Sequence, residues 1–266
     1  MKYYISILCL LFLTACKNGI KQNKSKQMSI DDGEFSLNSI KYPQNLRNVF
    51  DAHGGLENWK KMKTLTFEML KADAKEIHTI DLPTRKDKID FSGVSMGYNG
   101  SKTWIMDEQE SYKGNAFFYH NVMFYFYAMP YVLADDGIIY GKTDDLIFEG
   151  KNYPGVSVSY EQGVGVSSND EYFIHFNPET YQMEWLGYTV SYGTGKKSNN
   201  IRWIHYNEWA TVNGILLPKE LTWYTYEGRT INAPRNSRQF KNIVLSEIAK
   251  SNSFYEKPAK AVFVEE

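Results

Sequence analysis

The chain has 266 residues and a formal net charge of −1 at pH 7, and its 30 Lys and Arg residues are scattered along the sequence. Scattered basic residues give no electrostatic footprint for nucleic acid, so we expect no nucleic-acid partner. The length suits a single large β domain, and the 15% of aromatic residues suits β-strands.

The first residues have the layout of a signal peptide. Lys2 supplies a positive charge, an apolar run covers residues 5–12, and this run is too short to span a membrane. The tetrapeptide Leu13-Thr14-Ala15-Cys16 resembles the lipobox of bacterial lipoproteins, in which the cysteine is acylated and becomes the new N-terminus. We therefore predict a signal peptide over residues 1–15 and a membrane anchor through lipid on Cys16.

Cysteine chemistry is not expected in the mature domain. Cys9 lies in the segment that is removed, and Cys16 is used by lipidation, so no thiol remains. The sequence therefore predicts no disulfide, no thiolate catalysis and no cysteine-based metal site.

A polar segment precedes the folded part. Residues 16–39 are rich in Lys, Asn, Gln and Ser and show no sustained periodicity, which indicates a flexible tether. Residues 40–266 are predicted to form one domain.

The domain is predicted to open with a helix. Pro43 can begin it, Gly54-Gly55 can end it, and residues 56–62 can add a further turn. Spacings of three and four residues place an apolar set on one face of this helix, namely Leu46, Val49 and Phe50.

Strand patterns dominate the rest of the chain. Leu65, Phe67 and Met69 alternate with polar residues, which is typical of a half-buried strand. Similar runs cover residues 76–82, 86–91, 102–106, 145–148, 155–161, 171–176, 182–192, 200–209, 215–226 and 239–247. Short turn signals such as Asn99-Gly100 and Asn213-Gly214 separate them, and this favours antiparallel hairpins over crossover helices.

One segment, residues 115–134, breaks the pattern because it has no charged residue. We predict that most of it is helical. Its Asn115, His120, Asn121, Pro130 and four tyrosines argue against a membrane span. A helix that is apolar all round is normally covered, so we expect it to plug or cap a curved sheet.

Three kinds of catalytic or metal site are considered and disfavoured. Gly93-Val94-Ser95-Met96-Gly97 matches a nucleophile elbow, but a turn and a strand follow where that motif needs a helix, which favours a strand or turn with two glycines. The five histidines form no H-x-x-x-H pair, and on a strand His205 and Glu208 point to opposite faces. Adjacent acids such as Asp144-Asp145 are interpreted as solvated turn residues.

Large aromatic residues occupy both faces of several predicted strands. Trp203 and Trp209 share one parity while Ile204 and Tyr206 share the other, whereas a sheet buried on one face needs only one such set. The second set can line a ligand cavity, cover a helix or bury a partner surface. A thick core with an aromatic outer surface explains the pattern equally well.

Two stretches near the start of the domain resemble the opening of LolA/LolB-like proteins. They are Ala52-His53-Gly54-Gly55-Leu56-Glu57-Asn58-Trp59 and Met62-Lys63-Thr64-Leu65-Thr66-Phe67. The resemblance implies a half-barrel closed by helices over an apolar cavity that accepts acyl chains or another lipid. Lys17 after the lipidated cysteine resembles sorting to the outer membrane, so we expect the protein to be lipid-anchored there, facing the periplasm.

A closer resemblance concerns a family of uncharacterised bacterial lipoproteins and carries no established activity. It rests on Phe124-Tyr125-Phe126 to Met129-Pro130, on Trp185-Leu186-Gly187-Tyr188-Thr189 and on Leu217-Pro218.

The leading hypothesis is a mainly β, half-barrel, membrane-anchored carrier or chaperone that binds an apolar ligand without a cofactor, without a metal and without enzymatic activity. Its candidate cavity residues are Trp104, Met106, Phe117, Phe124, Phe126, Met129, Trp185, Trp203 and Trp223.

Two alternatives remain open. A scaffold lipoprotein that binds an envelope protein would have a filled interior and an aromatic surface patch. An envelope hydrolase would place His175 or His205 within hydrogen-bond reach of a carboxylate in an open cleft.

Overall fold

The structure is a computed structural model and describes residues 41–70, 75–162, 168–191 and 195–264. These residues all belong to one compact unit, Leu37–Glu266. The predicted signal peptide, the predicted tether and the predicted lipidation site at Cys16 lie outside the described residues.

In the part of the chain that the structure describes, three α-helices form at the predicted places. Helix α1 spans Gln44–Ala52 and buries Leu46, Val49 and Phe50, so the predicted apolar face is confirmed. Helix α2 spans Leu56–Lys61. Helix α3 spans Ala116–Tyr127, and a short 3-10 helix at Tyr131–Ala134 follows it, which confirms that most of the charge-free segment is helical.

The described chain contains fifteen strands. They are β1 Thr64–Leu70, β2 Lys75–Asp81, β3 Asp87–Phe91, β4 Val94–Tyr98, β5 Thr103–Met106, β6 Ile138–Lys142, β7 Leu146–Phe148, β8 Lys151–Tyr153, β9 Gly155–Tyr160, β10 Tyr172–Phe176, β11 Met183–Tyr188, β12 Arg202–Val212, β13 Ile215–Glu227, β14 Thr230–Ser246 and β15 Val262–Phe263.

Thirteen strands form one antiparallel sheet in the order β15-β5-β4-β3-β2-β1-β14-β13-β12-β11-β10-β9-β6, and β7 and β8 form a separate hairpin. The sheet is curved and not closed, so the predicted curved antiparallel sheet is confirmed. The chain enters at the central strand β1 and runs outward to β5. It then crosses through α3 to the far edge at β6 and returns strand by strand to β14, beside β1.

The main core lies on the face of the sheet that α3 covers, which we call the inner face. Leu65, Phe67 and Met69 of β1 are buried there, as their alternation predicts. Tyr127 of α3 stacks on Phe67, with ring centroids 4.0 Å apart. Burial of such rings is the dominant favourable term that holds helix and sheet together.

The opposite, outer face carries a second core. The β7–β8 hairpin places Leu146 and Tyr153 against Trp185, Trp203 and Ile231. The two-sided aromatic pattern is therefore explained by two separate cores on the two faces of the same strands.

The segment after β14 crosses the outer face to the edge at β5. The Thr64 hydroxyl donates to the Ile248 carbonyl (2.8 Å), and the Trp104 indole donates to the Tyr255 carbonyl (3.0 Å). The segment then pairs with β5 as β15. Trp104 is thereby fully buried on the outer side.

Three strands were not predicted, and β4 was interpreted only as a strand or turn. The three are β6, β8 and β15, each five residues or shorter, and β14 begins nine residues before the predicted start. Gly97 of β4 has no room for a side chain, because a Cβ there would lie 2.3 Å from the Asp87 carbonyl oxygen. Within the described residues, no helix is long and apolar enough to cross a membrane.

Candidate functional site

Helix α3 is the element that shapes the candidate site. Asn115 caps it by accepting a hydrogen bond from the Phe118 backbone N–H (3.0 Å). Its inward side, which includes Met123, Phe124 and Tyr127, is buried against the sheet. The space between helix and sheet is therefore filled with side chains.

The outward side of α3 is also apolar. Phe118, Val122 and Tyr125 recur at spacings of three and four residues and are only partly buried. A surface helix normally presents charged or polar residues on that side. Helix α3 thus carries an apolar stripe that no described segment covers completely.

Polar contacts fix α3 to the sheet at both ends. The Tyr119 hydroxyl donates to Glu76 (2.6 Å), and His120 Nδ1 lies 2.6 Å from the Asp87 carboxylate. At the other end, the Tyr206 hydroxyl donates to the Phe126 carbonyl (2.7 Å). Buried charge-assisted hydrogen bonds are strong, so α3 has a defined position rather than a loose hydrophobic contact.

A pocket of about 510 Å³ lies beside the first half of α3. The helix forms one wall, the β4–β5 hairpin forms another, and the end of the chain after β15 closes the third side. The lining residues are Arg85, Tyr98, Ser101, Lys102, Thr103, Phe117, His120, Asn121, Phe263 and Val264.

Lys102 is held at the pocket by the turn between β4 and β5. The Asn99 side chain accepts hydrogen bonds from the backbone N–H groups of Ser101 (3.0 Å) and Lys102 (2.9 Å). The Lys102 side chain is exposed, and its Nζ lies 5.6 Å from the centroid of the Phe263 ring. This turn therefore positions a cation next to an aromatic ring.

His120 is the most buried ionisable group of the pocket wall. Its Nδ1 is engaged by Asp87, and its ring stacks on Tyr98 with centroids 5.4 Å apart. Burial raises the pKa of Asp87, and the hydrogen bond from His120 opposes that effect. The contact with Asp87 leaves Nε2 as the ring nitrogen available on the pocket side.

Arg85 is already paired at the other side of the pocket. Its Nη2 lies 2.6 Å and 2.8 Å from the two carboxylate oxygens of Asp135. Its guanidinium also lies 5.0 Å from the centroid of the Phe124 ring. Arg85 therefore serves mainly to join α3 and the following loop to the β2–β3 connection.

A second pocket, of about 400 Å³, lies on the outer face between the β7–β8 hairpin and the β13–β14 turn. Its charged lining residues are Asp145, Glu149 and Arg229. The Arg229 guanidinium donates to the Asp144 carbonyl (2.8 Å) and lies 5.5 Å from the Trp203 ring centroid. These contacts hold the hairpin over the second core, so we assign Arg229 a structural role.

One family model matches residues 79–232, more than half of the chain, and its description is a family of unknown function, DUF6503. The chain belongs to the DUF6503 family. This agrees with the expected membership of an uncharacterised family. No curated protein matches this DUF6503 member.

Three solved structures illustrate what this DUF6503 member is similar to in fold. A LolA superfamily protein from Nitrosomonas europaea is 7% identical, with a TM-score of 0.46 and coverage of 80% of this chain and 97% of that one. A DUF1329 family protein from Desulfovibrio piger is 9% identical, with a TM-score of 0.44 and coverage of 80% and 98%. A lipoprotein-sorting domain from Vibrio parahaemolyticus is 8% identical, with a TM-score of 0.40 and coverage of 76% and 97%.

The structure places the nine candidate cavity residues in three locations. Phe124, Phe126 and Met129 are buried in the main core with the partly buried Trp223 beside them. Phe117 lines the pocket beside α3. The others belong to the outer side of the sheet, namely Trp104, Met106, Trp185 and Trp203. The nine residues therefore do not line a single cavity, because strand alternation sends four of them to the opposite face.

The residues considered for catalysis are not assembled into a catalytic site. Ser95 lies within β4 and its hydroxyl donates to Asp90, and β5 follows, so the interpretation as a strand is confirmed. His175 Nδ1 lies 3.0 Å from the Tyr153 carbonyl oxygen, and His205 Nε2 lies 3.9 Å from Glu184. Neither histidine has the carboxylate hydrogen bond that the hydrolase hypothesis requires.

The histidine that does have a carboxylate partner at a pocket, His120, was not singled out. Its partner Asp87 lies 33 residues earlier, so no local spacing signals the pair. No hydroxyl group is hydrogen-bonded to His120 Nε2 among the described residues, and the pair therefore lacks the nucleophile of a hydrolase triad. Across the described ranges, no group of His, Cys, Asp and Glu side chains could hold a metal ion.

Proposed function

We propose that this protein is a lipid-anchored carrier or chaperone of the bacterial cell envelope that binds a lipid or acyl chain beside α3. The observation that carries the proposal is the pocket of about 510 Å³ bounded by a charge-free helix. Pockets for small molecules commonly have volumes of this order and combine apolar walls with a few polar groups. The lipobox at Cys16 supports attachment to a membrane, and Lys17 supports the outer membrane.

Helix α3 suits this function because both of its sides are apolar. The inward side closes the main core, while Phe118, Val122 and Tyr125 on the outward side can contact an acyl chain. Burial of apolar surface contributes about 25 cal/mol per Å², so even part of this stripe would supply several kcal/mol to binding.

The test is whether lipid accompanies the purified domain. Residues 37–266 form the compact unit that holds every described element, so we would purify this unit from bacterial cells and examine lipid extracts by mass spectrometry. We expect a stoichiometric lipid that is lost in Val122→Glu, because a charge on the outward side of α3 opposes acyl contact.

Asn45→Glu provides the matched control. Asn45 is exposed on α1, away from the apolar stripe, so this charge should leave the lipid content unchanged. A lipid-free wild-type domain that also takes up no fluorescent fatty-acid probe would exclude the carrier function.

The second candidate function is a scaffold that binds an envelope protein through the outward side of α3. The filled space beneath α3 favours it, since Phe118, Val122 and Tyr125 on the outward side are only partly buried. A photo-crosslinking residue at position 122 distinguishes the two functions. A carrier should crosslink to lipid in cells, whereas a scaffold should crosslink to one defined protein.

A further inference from the structure

The pocket beside α3 contains an unusual combination of groups: a free cation, a histidine nitrogen and two apolar rings. We infer that it binds a long-chain carboxylic acid, with Lys102 and His120 at the acid group and Phe117 and Phe263 along the chain. This inference rests on the proposed function, because it names the chemical class of the ligand and its binding site.

The charge of the pocket favours an anion. The Lys102 ammonium has no carboxylate partner within the described ranges, whereas Arg85 is neutralised by Asp135. No Asp or Glu lines the pocket in the described part of the chain. An uncompensated ammonium at the mouth of a pocket attracts an anionic head group and repels a cationic one.

His120 makes a weak acid the best match. With Nδ1 held by Asp87, a neutral ring can accept a proton at Nε2 from a carboxylic acid, and a protonated ring can donate to a carboxylate. In both cases one proton lies between the ring and the acid group. The charged and titratable groups around the ring are Asp87 and Tyr98 on the sheet, Arg85 and Lys102 across the pocket, and His78 behind Asp87.

Thr103 is a further polar group of the pocket that a bound acid could engage. Thr103 lines the pocket and is only 2% exposed. Its hydroxyl has no hydrogen-bond partner among the described residues. A buried hydroxyl without a partner costs free energy, and an oxygen of a bound acid group can satisfy it.

Two apolar rings border the path that the chain would follow. Phe117 of α3 is partly buried, and Phe263 of β15 is 45% exposed although it is a large apolar side chain. Phe263 is fixed in place because β15 pairs with β5, opposite Trp104. The two rings therefore border the pocket from different sides of the sheet edge, because Phe117 lies on α3 over the inner face and Phe263 pairs with the outward-facing Trp104.

The experiment compares palmitic acid with its methyl ester, acetate and inorganic phosphate by isothermal titration calorimetry on residues 37–266 after delipidation. The ester keeps the chain but has neither the charge nor the acidic proton. We expect palmitic acid to bind at least about tenfold more tightly than the ester, and acetate and phosphate to bind far more weakly.

Two variants test the named residues. Lys102→Gln removes the cation from an exposed turn, and His120→Asn keeps a donor for Asp87 while removing the nitrogen on the pocket side. Each should weaken palmitic acid about tenfold and leave the ester unchanged. Lys142→Gln, an exposed lysine on β6, is the control and should have no effect.

Each remaining outcome has a definite meaning. Equal affinity for acid and ester, or full binding by Lys102→Gln and His120→Asn, overturns the inference while the carrier function stands. Binding of acetate or phosphate as tight as palmitic acid also overturns it, because the pocket would then be a simple anion site. If neither the acid, the ester nor any co-purified lipid binds, the proposed function itself is wrong.

Discussion

Acidification should destabilise this fold through His53, and His53→Gln should remove that part of the pH dependence. His53 is fully buried at the end of α1, and burial lowers its pKa to about 3. Its Nε2 accepts a hydrogen bond from the Met183 backbone N–H (2.9 Å), which requires the nitrogen to be unprotonated. The ring also packs edge-on against Trp209, with centroids 4.5 Å apart.

The size of this destabilisation follows from the pKa of His53 in the folded chain and its pKa in the unfolded chain. Because the folded value of about 3 lies below the ordinary value of 6.5, the unfolded chain takes up the proton first as the pH falls. The contribution of neutral His53 is fully present above pH 6.5 and is lost progressively towards pH 3. Between pH 7 and pH 5 the loss is about 2 kcal/mol, at about 1.4 kcal/mol for each unit below the unfolded value.

Urea unfolding followed by tryptophan fluorescence at pH 7 and pH 5 measures this difference. His53→Gln cannot take up a proton, and its amide oxygen can still accept from Met183. Between pH 7 and pH 5, the free energy of unfolding of His53→Gln should therefore fall by about 2 kcal/mol less than that of the wild-type protein. His175→Gln should behave in the same way, since burial lowers the pKa of His175 to about 4. An identical pH dependence in wild type and His53→Gln would refute the reasoning.

Three further predictions concern stability and anchoring. Gly54→Ala should cost about 3 kcal/mol or more in urea unfolding, because Gly54 has a φ of +107° and a Cβ there would lie 2.1 Å from the Gly214 carbonyl oxygen. Gly55→Ala, with no atom within 4 Å, should cost only about 1 kcal/mol. Trp185→Ala should lower the free energy of unfolding by about 3–5 kcal/mol, because this ring is fully buried in the second core. Cys16→Ser should move the protein from the membrane fraction to the soluble fraction on cell fractionation and abolish labelling with radioactive palmitate.

The sequence was most informative where side-chain periodicity and turn chemistry agreed. The alternation of Leu65, Phe67 and Met69 predicted β1 and its buried face, and the spacing of Leu46, Val49 and Phe50 predicted α1. The glycine pair after His53 also marked a real constraint, since both glycines have positive φ values.

The candidate site was much less accessible to sequence reasoning. Its residues come from the β4–β5 hairpin, from α3 and from the C-terminal strand β15, so only the sheet order brings them together. Aromatic content alone could not assign Trp203 and Trp223 to opposite faces, because parity depends on register and β12 and β13 contain irregularities. The asparagine-glycine turn before Lys102 was visible, but nothing in it indicated that the lysine borders a pocket.

The path of the chain through the sheet has a consequence for how the protein is made. β1 forms the middle of the sheet, yet its neighbour β14 is the last long strand, with Thr64 opposite Ser246. The N-terminal part of a chain is synthesised first, so one edge of β1 stays unpaired until nearly all of the domain has been synthesised. Pairing between two strands that lie so far apart in the sequence is slow, and an unpaired strand edge promotes aggregation in the meantime. Folding of this protein should therefore depend on chaperone assistance more than its final stability suggests.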